Sequence, residues 1–251
     1  MYEAAMRGEA EVRSMAGMQV HQIGPVWVAE SSDRGWGLVS YSPEQAREVR
    51  EPDIQNVIDF LANTGYIRSF EWKTWRSDPR LPLDKFGFQW EPEEAVMMGD
   101  TEVLSRWPNP HGVRVHQVVT EEDLSAASQV RSDVFGLGED RTRQFIERTR
   151  HDIPGAGLFA AVADGRMVGI GRMEELAGAG LAGLFSGSVL PQYRGRGIYR
   201  ALLSARAKRA LDLGATVVVS ECSEYSRPIL QRAGFLAVEH TTPAVYRFDV
   251  A

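Results

Sequence analysis

Val189-Leu190-Pro191-Gln192-Tyr193-Arg194-Gly195-Arg196-Gly197-Ile198 is the stretch on which the reading of this chain turns. A strand ends at Leu190 and Pro191 breaks it. Two glycines let the backbone swing its amides toward one point, and a helix opens at Ile198 with its positive end facing that point. Such an assembly is a phosphate cradle. Its surroundings carry the matching charge: from Pro191 to Ala210 the chain has Arg194, Arg196, Arg200, Arg206, Lys208 and Arg209 and no acidic residue, within a protein whose formal net charge is −6. The helix is rich in Ala and Leu and sets Ile198, Ala201, Leu202 and Ala205 on one face, so it can pack on a sheet while its first turn stays free. No Gly-Lys-Ser/Thr follows the loop, which removes the lysine and magnesium ligand of a P-loop nucleotidase. The position of a third dinucleotide-fold glycine is Arg200, and the loop sits late in a mixed pattern, which argues against a dinucleotide fold.

Working outward, Ile198 to Leu213 reads as a helix closed by Gly214, Ala215 to Glu221 as a β-branched strand, Ser226 to Ala233 as a short helix stopped by Gly234-Phe235, and Ala244 to Val250 as a last strand. Before the loop, Leu181 to Leu190 is a strand, and Leu158 to Ala163 with Arg166 to Met173 form a hairpin about Asp164-Gly165. The half opens with the alternating strand Val113 to Val119 and a helix start at Thr120-Glu121-Glu122-Asp123, with helical stretches continuing to Arg150. Ser105 to Gly112, holding Pro108, Pro110 and Gly112, is the expected linker, dividing the chain into 1–112 and 113–251. The first half reads as an amphipathic helix over 2–15, strands at 26–29 and 37–40 about the turn 31–35, and a helix over 51–63 with Ile54, Val57, Ile58 and Leu61 on its buried face. Gly65 ends that helix, a strand follows from Tyr66 to Trp75, then a helix near 81–86, Gly87-Phe88 and a strand near 95–98. The order strand, short helix, Gly-Phe, strand occurs in both halves, and only the second has the glycine and arginine loop.

Composition sets outer bounds. At 251 residues, 43% hydrophobic and 25% charged, the chain can fold throughout into one large or two ordinary domains. Cys222 is the only cysteine, which suits a cytoplasmic setting and reads as a small buried residue. The N-terminal stretch does not read as a signal peptide, and no apolar run approaches the ~18 residues of a membrane span. The acidic balance opposes nucleic-acid binding. His21, His111, His116, His151 and His240 lack metal-ligand spacing, no Gly-x-Ser-x-Gly elbow occurs, and Trp72, Trp75 and Trp90 read as packing residues.

Gln192, Gly195 and Gly197 match Gln/Arg-x-x-Gly-x-Gly/Ala, and with the downstream element order residues 113–251 resemble the GNAT superfamily of acyl-coenzyme A N-acyltransferases. Phe70-Glu71-Trp72-Lys73 with Gly87-Phe88 is similar to the degenerate N-terminal part of a two-part bacterial subgroup. The resemblance implies a mixed α/β fold: a mostly antiparallel twisted sheet with one splayed parallel strand pair and flanking helices, preceded by a GNAT-like half. It implies acetyl-coenzyme A as co-substrate and no metal. The pantetheine arm would lie along Ser188, Val189 and Leu190, the amides of Arg194, Gly195, Arg196, Gly197 and Ile198 would hold the pyrophosphate, and the side chains of Arg194, Arg196 or Arg200 would reach it. Tyr199 is placed to lean on the cofactor or to pack, and Ser223 stands where an asparagine often meets the pantetheine arm.

Acyl transfer to an amine needs a base, since an alkylamine with a pKa near ~10 is mostly protonated at neutral pH. Glu221, Glu174 and Glu175 are the candidates, and a backbone amide near Leu190 would steady the oxyanion. The place that the resemblance gives to a proton-donating tyrosine holds Leu230, which leaves Ser226 and Tyr225 as substitutes, with Ser226 also a natural helix N-cap. The expected acceptor is a primary amine of a small molecule or protein, with no nucleic-acid or membrane partner. A module that binds or senses acyl-coenzyme A without turnover is the alternative. The first half is expected to cover or shape the acceptor pocket, ahead of a role in a homodimer.

Overall fold

The structure is a computed structural model that describes residues 2–15, 17–138, 142, 145–146, 149, 157–176 and 180–248. The chain forms two compact units, Met1–Val96 with Cys222–Arg227 and Ala237–Ala251, and Met97–Glu221 with Pro228–Leu236.

The first unit begins with α1 (Tyr2–Met6) and α2 (Gly8–Ser14). One helix was expected here; Gly8, at φ +62°, breaks it, and a Cβ there would lie 3.1 Å from the Ser42 backbone nitrogen. The break turns Arg7 inward, onto the Trp75 ring at 4.0 Å and into an ion pair with Asp78. Strands β1 (Gln19–Ile23), β2 (Val26–Ser31) and β3 (Trp36–Ser40) form an antiparallel meander. The edge strand β1 gave no sequence signal because its side chains are exposed or half-buried along its length. After α3 (Pro43–Ala46) and α4 (Glu51–Asn63), β4 (Ser69–Trp75) pairs parallel with β3. Ile54, Val57, Ile58 and Leu61 are the buried face of α4, as their spacing requires. The short β5 (Gln89–Trp90) follows, and β6 (Glu94–Asp100) carries the chain onward.

In the second unit, α5 (Thr101–Ser105), β7 (Val113–Gln117), α6 (Glu121–Phe135), β8 (Gly157–Ala163), β9 (Arg166–Leu176), β10 (Leu181–Val189), α7 (Ile198–Asp212) and β11 (Val217–Cys222) occur in chain order. The sheet runs β7-β8-β9-β10-β11, antiparallel except for the parallel pair β10 and β11. Thr120 caps α6 by accepting the Asp123 amide, and the β8–β9 hairpin turns on Asp164 and Gly165, both at positive φ. The helical stretch read up to Arg150 falls largely outside the described residues. Ala201, Leu202 and Ile198 of α7 pack with Val168, Ile170, Ala160 and Leu158 in one apolar cluster.

Ser105 to Gly112, read as a linker, lies inside this unit. The Ser204 hydroxyl of α7 donates toward the carbonyls of Ser105 and Trp107, at 3.3 and 2.8 Å, and so fastens the segment to the helix. The chain closes with α8 (Arg227–Arg232) and β12 (Leu236–Arg247). β12 starts well before Ala244, and its Thr241–Arg247 stretch pairs antiparallel with β4 in the first unit. Its early residues are exposed, so no buried alternation announces them.

The repeated element order has a hydrogen-bonded counterpart. Phe88 N donates to Leu83 O and Phe235 N to Leu230 O, while Gly87 and Gly234 sit at φ +88° and +89°. Each is the left-handed stop that a short helix needs before a strand, and each packs its leucine and phenylalanine into the interior. No helix among the described residues is long and apolar enough to cross a membrane.

Candidate functional site

The sheet of the second unit opens where the loop begins. The parallel register of β10 and β11 covers Leu181–Gly183 against Val217–Val219, yet β10 continues to Val189 and β11 to Cys222. At the point of parting the Ser220 hydroxyl donates to the Leu184 carbonyl, at 3.3 Å, where an unbroken ladder would use a backbone amide. A bulge then bends β10: its register to β9 slips between Phe185 and Ser188, with Ser186 at φ +52°.

Past the bulge, Leu190 N donates to Val168 O at 2.9 Å. The amide expected to face an oxyanion is therefore turned into the ladder. Antiparallel alternation points the neighbouring Val189 N–H the other way, to the side from which β11 departs. Ser188, Val189 and Leu190 are all buried.

The chain then turns through Pro191–Tyr193 into the glycine loop. Arg194 N donates to Pro191 O, so this amide, assigned to the pyrophosphate by sequence, closes the turn instead. Gly195 and Gly197 stand at φ +75° and +76°. Around Gly195 no atom lies within 4 Å of where a Cβ would sit; at Gly197 a Cβ would come to 2.8 Å from Pro110 Cγ. The first intrahelical bond of α7 runs from Ala201 N to Gly197 O, which leaves the amides of Ile198, Tyr199 and Arg200 ahead of any helical partner. Gly197 at the N-cap supplies no side-chain cap. An open, uncapped helix N-terminus beside a glycine that leaves its space empty is a fit for a diphosphate.

Residues 124–235 match the model of the Acetyltransferase (GNAT) family. They form a GNAT-family domain. The fold extends over most of the chain in solved structures: a GCN5-related N-acetyltransferase from Kribbella flavida is 16% identical with TM-score 0.67, covering 91% of this chain and 89% of that one. A functionally unknown conserved protein from Staphylococcus epidermidis is 10% identical with TM-score 0.71, covering 92% and 94%. A tandem GNAT protein from the clavulanic acid biosynthesis pathway is 15% identical with TM-score 0.62, covering 94% and 85%. No curated protein matches the chain in sequence. At these identities the structures show a shared fold, and the family is one of acetyltransferases.

The arginines of the GNAT domain do different work from one another. Arg194 Nε donates to the Val189 carbonyl at 3.2 Å, tying the loop back to the strand end. Arg196 grips Asp164 of the β8–β9 turn with both amino groups, at 3.0 and 3.5 Å, and lies 5.0 Å from the Tyr193 ring centre. That hydrogen-bonded charge holds the Asp164 carboxyl below its ordinary pKa and Arg196 above its own. Arg200 stacks on Trp107 at 4.1 Å. Arg206 is buried. Sequence assigned Arg194, Arg196 and Arg200 to phosphate as side chains; in the structure each has a partner within the protein. Tyr199 packs its ring over Gly187 of the bulge, where a Cβ would lie 2.9 Å from a ring carbon.

Strand alternation sorts the candidate carboxylates. Gly183 faces Val219 on one side and Glu174 on the other, and Phe185 faces Arg172, so Glu221, two residues past Val219, shares a sheet face with Glu174, Arg172 and Phe185. Glu175 opposes Ala182 and belongs to the other face. Glu174 is paired with Arg172 at 2.5 Å, and Glu221 is half-buried.

Farther along, Ser223 O accepts the amides of Ser226 and Arg227, which winds the turn into α8 and sets Ser226 at its N-cap position. Tyr225 is 82% exposed, and Leu230 is 0% exposed. The Cys222 thiol is pushed up to about 11 by burial and by Glu94, against the pull of Arg227, so it stays protonated near neutrality. Among the described residues no His, Cys, Asp and Glu group has the arrangement of a metal site.

Proposed function

We propose that the GNAT domain transfers an acyl group, acetyl in the natural reaction, from acyl-coenzyme A to a primary amine of a small molecule or protein. The observation that carries this reading is the continuity of the parting strand with the uncapped cradle: β10, which leaves β11 after Gly183, leads directly to the open space at Gly195 and the amides of α7. A diphosphate with a long, amide-bearing arm fits that sequence of surfaces better than an isolated phosphate. Acyl-coenzyme A supplies the activated thioester.

The protein's own groups divide the remaining tasks. Amides of the loop and of Ile198 to Arg200 bind the diphosphate, where the helix dipole favours negative charge. The Val189 N–H offers a hydrogen bond to an acyl carbonyl lying along β10. Glu221, on the sheet face it shares with Glu174, takes the proton of the amine at its carboxylate. Ser226 is the candidate hydroxyl for returning a proton to the thiolate.

Titration calorimetry with acetyl-coenzyme A tests the coenzyme reading, with Gly195→Asn as a control for backbone strain and Gly195→Asp adding a charge at the same site. Micromolar binding that survives Asn and is lost with Asp supports it; no binding to the native chain removes it. The buried Leu230, at a place expected to donate a proton, favours a second reading, a module that holds acyl-coenzyme A without turnover. Release of free thiol in the presence of an amine panel separates the two.

A further inference from the structure

The bulge of β10 is held by an unusual buried cation. Arg206 is 1% exposed, and among the described residues no carboxylate pairs with it. Its Nε donates to Leu202 O of its own helix at 3.0 Å, and its Nη1 donates toward Arg172 O and Phe185 O, at 3.3 and 3.4 Å. Arg172 and Phe185 face each other across β9 and β10 at the last register position before the slip. The guanidinium thus spans the two strands where the ladder fails. Space for it is built in: at Gly171, opposite the bulge, a Cβ would lie 2.7 Å from Arg206 Cζ. Tyr199, seven residues earlier and on the same helix face, fills the hollow at Gly187; burial lowers the pKa of Arg206, and the neighbouring Tyr199 opposes that shift. Burying a guanidinium is costly, and an aliphatic side chain would fill this interior more cheaply. Only a multiple donor can bind both strand carbonyls at once.

We propose that Arg206 is a positioning residue: by clamping Phe185 and Arg172 it fixes the bend of β10, and so the line along which the arm and thioester of acyl-coenzyme A lie, without touching phosphate. The proposal rests on the coenzyme reading above. It separates two parts of the ligand, since the cradle at Gly195 binds the diphosphate and the bend governs the arm.

The test compares acetyl-coenzyme A with adenosine 3′-phosphate 5′-diphosphate, which keeps the phosphates and lacks the arm, by calorimetry on the full chain. In Arg206→Met the affinity for the fragment stays within about twofold, while the advantage of acetyl-coenzyme A over the fragment falls on the order of tenfold. Arg206→Lys, which keeps the charge with a smaller reach, recovers part of that advantage. A purely structural role lowers the melting temperature and leaves the ratio unchanged, so a folded Arg206→Met with the native ratio overturns the proposal. Should Arg206→Met fail to fold, Gly171→Ala keeps the arginine and puts a methyl group where its guanidinium sits; the same fall is expected, and an unchanged ratio again overturns the clamp. A native chain that binds neither compound removes the coenzyme reading itself, and the clamp's function with it.

Discussion

The two units carry the same run of elements, strands in antiparallel order, a crossover to a parallel strand, a short helix and Gly-Phe, yet their crossovers end differently. In the first, β3 keeps register with β4 over Trp36–Val39, most of its length, and the following helix caps itself: Ser42 Oγ accepts the Gln45 amide while Gln45 Oε1 accepts that of Ser42. Gly8 of α2 packs against the same turn. In the second, β10 leaves β11 after Gly183 and α7 starts on a bare glycine. Orphan amides satisfied by their own side chains make a structural joint, and orphan amides left open make a site. The difference between a scaffold and a candidate active site in this chain lies in a few residues after one strand.

The largest effect expected from breaking this contrast is on the joint. Lys73 Nζ pairs with Glu11 at 2.6 Å, and the Ser40 hydroxyl donates to the same carboxylate, with both charged groups buried. Lys73→Ala leaves Glu11 buried without its cation and should lower stability by roughly 3–5 kcal/mol in chemical denaturation, while the double variant Glu11→Leu, Lys73→Met recovers most of the loss. A small loss in the single variant would show that the first unit is held by its apolar core alone.

Next comes the cradle. Gly195→Asp should weaken acetyl-coenzyme A binding roughly 100-fold, the scale of one like charge a few ångströms from a diphosphate, and Gly195→Asn only a few-fold. Comparable losses from Asp and Asn would mean that backbone strain at positive φ, and not charge, governs the site.

Much of this contrast was legible in the sequence. Glycine spacing, the proline stop and the helix start at Ile198 follow from local chemistry, and the spacing of Ile54, Val57, Ile58 and Leu61 fixed a helix face. Polar edges were not legible: Gln19–Ile23 and the early part of β12 bury too little for alternation to appear. Side-chain direction was hidden for a different reason. A run of arginines announces positive charge, but whether each meets phosphate, Asp164, Trp107 or a strand carbonyl depends on partners distant in sequence. The same holds for the Leu190 amide, whose direction is set by pairing with Val168.

A smaller effect tests the self-capped helix. Ser42→Ala removes the acceptor for the Gln45 amide and should cost about 1 kcal/mol in denaturation with no change in acetyl-coenzyme A affinity. A shift in affinity would show that this joint contributes to binding, against its assignment as scaffold.

The smallest expected effect sharpens the role of the loop's arginines. Asp164 holds Arg196 on the exposed β8–β9 turn, and the bond and charge of Arg196 keep the Asp164 carboxyl below its ordinary pKa. A depressed acid favours the folded state above its unfolded pKa, near ~4, and that contribution is lost as pH falls through the lower folded value. Carboxyl NMR should therefore show Asp164 titrating below an ordinary aspartate in the native chain and moving up in Arg196→Ala. Asp164→Asn releases the guanidinium beside the cradle, so acetyl-coenzyme A affinity should rise by a few-fold at low salt and return to the native value near ~1 M, where screening is nearly complete. An affinity that does not respond would leave Arg196 as a tie between loop and hairpin, and binding at the cradle to the backbone alone.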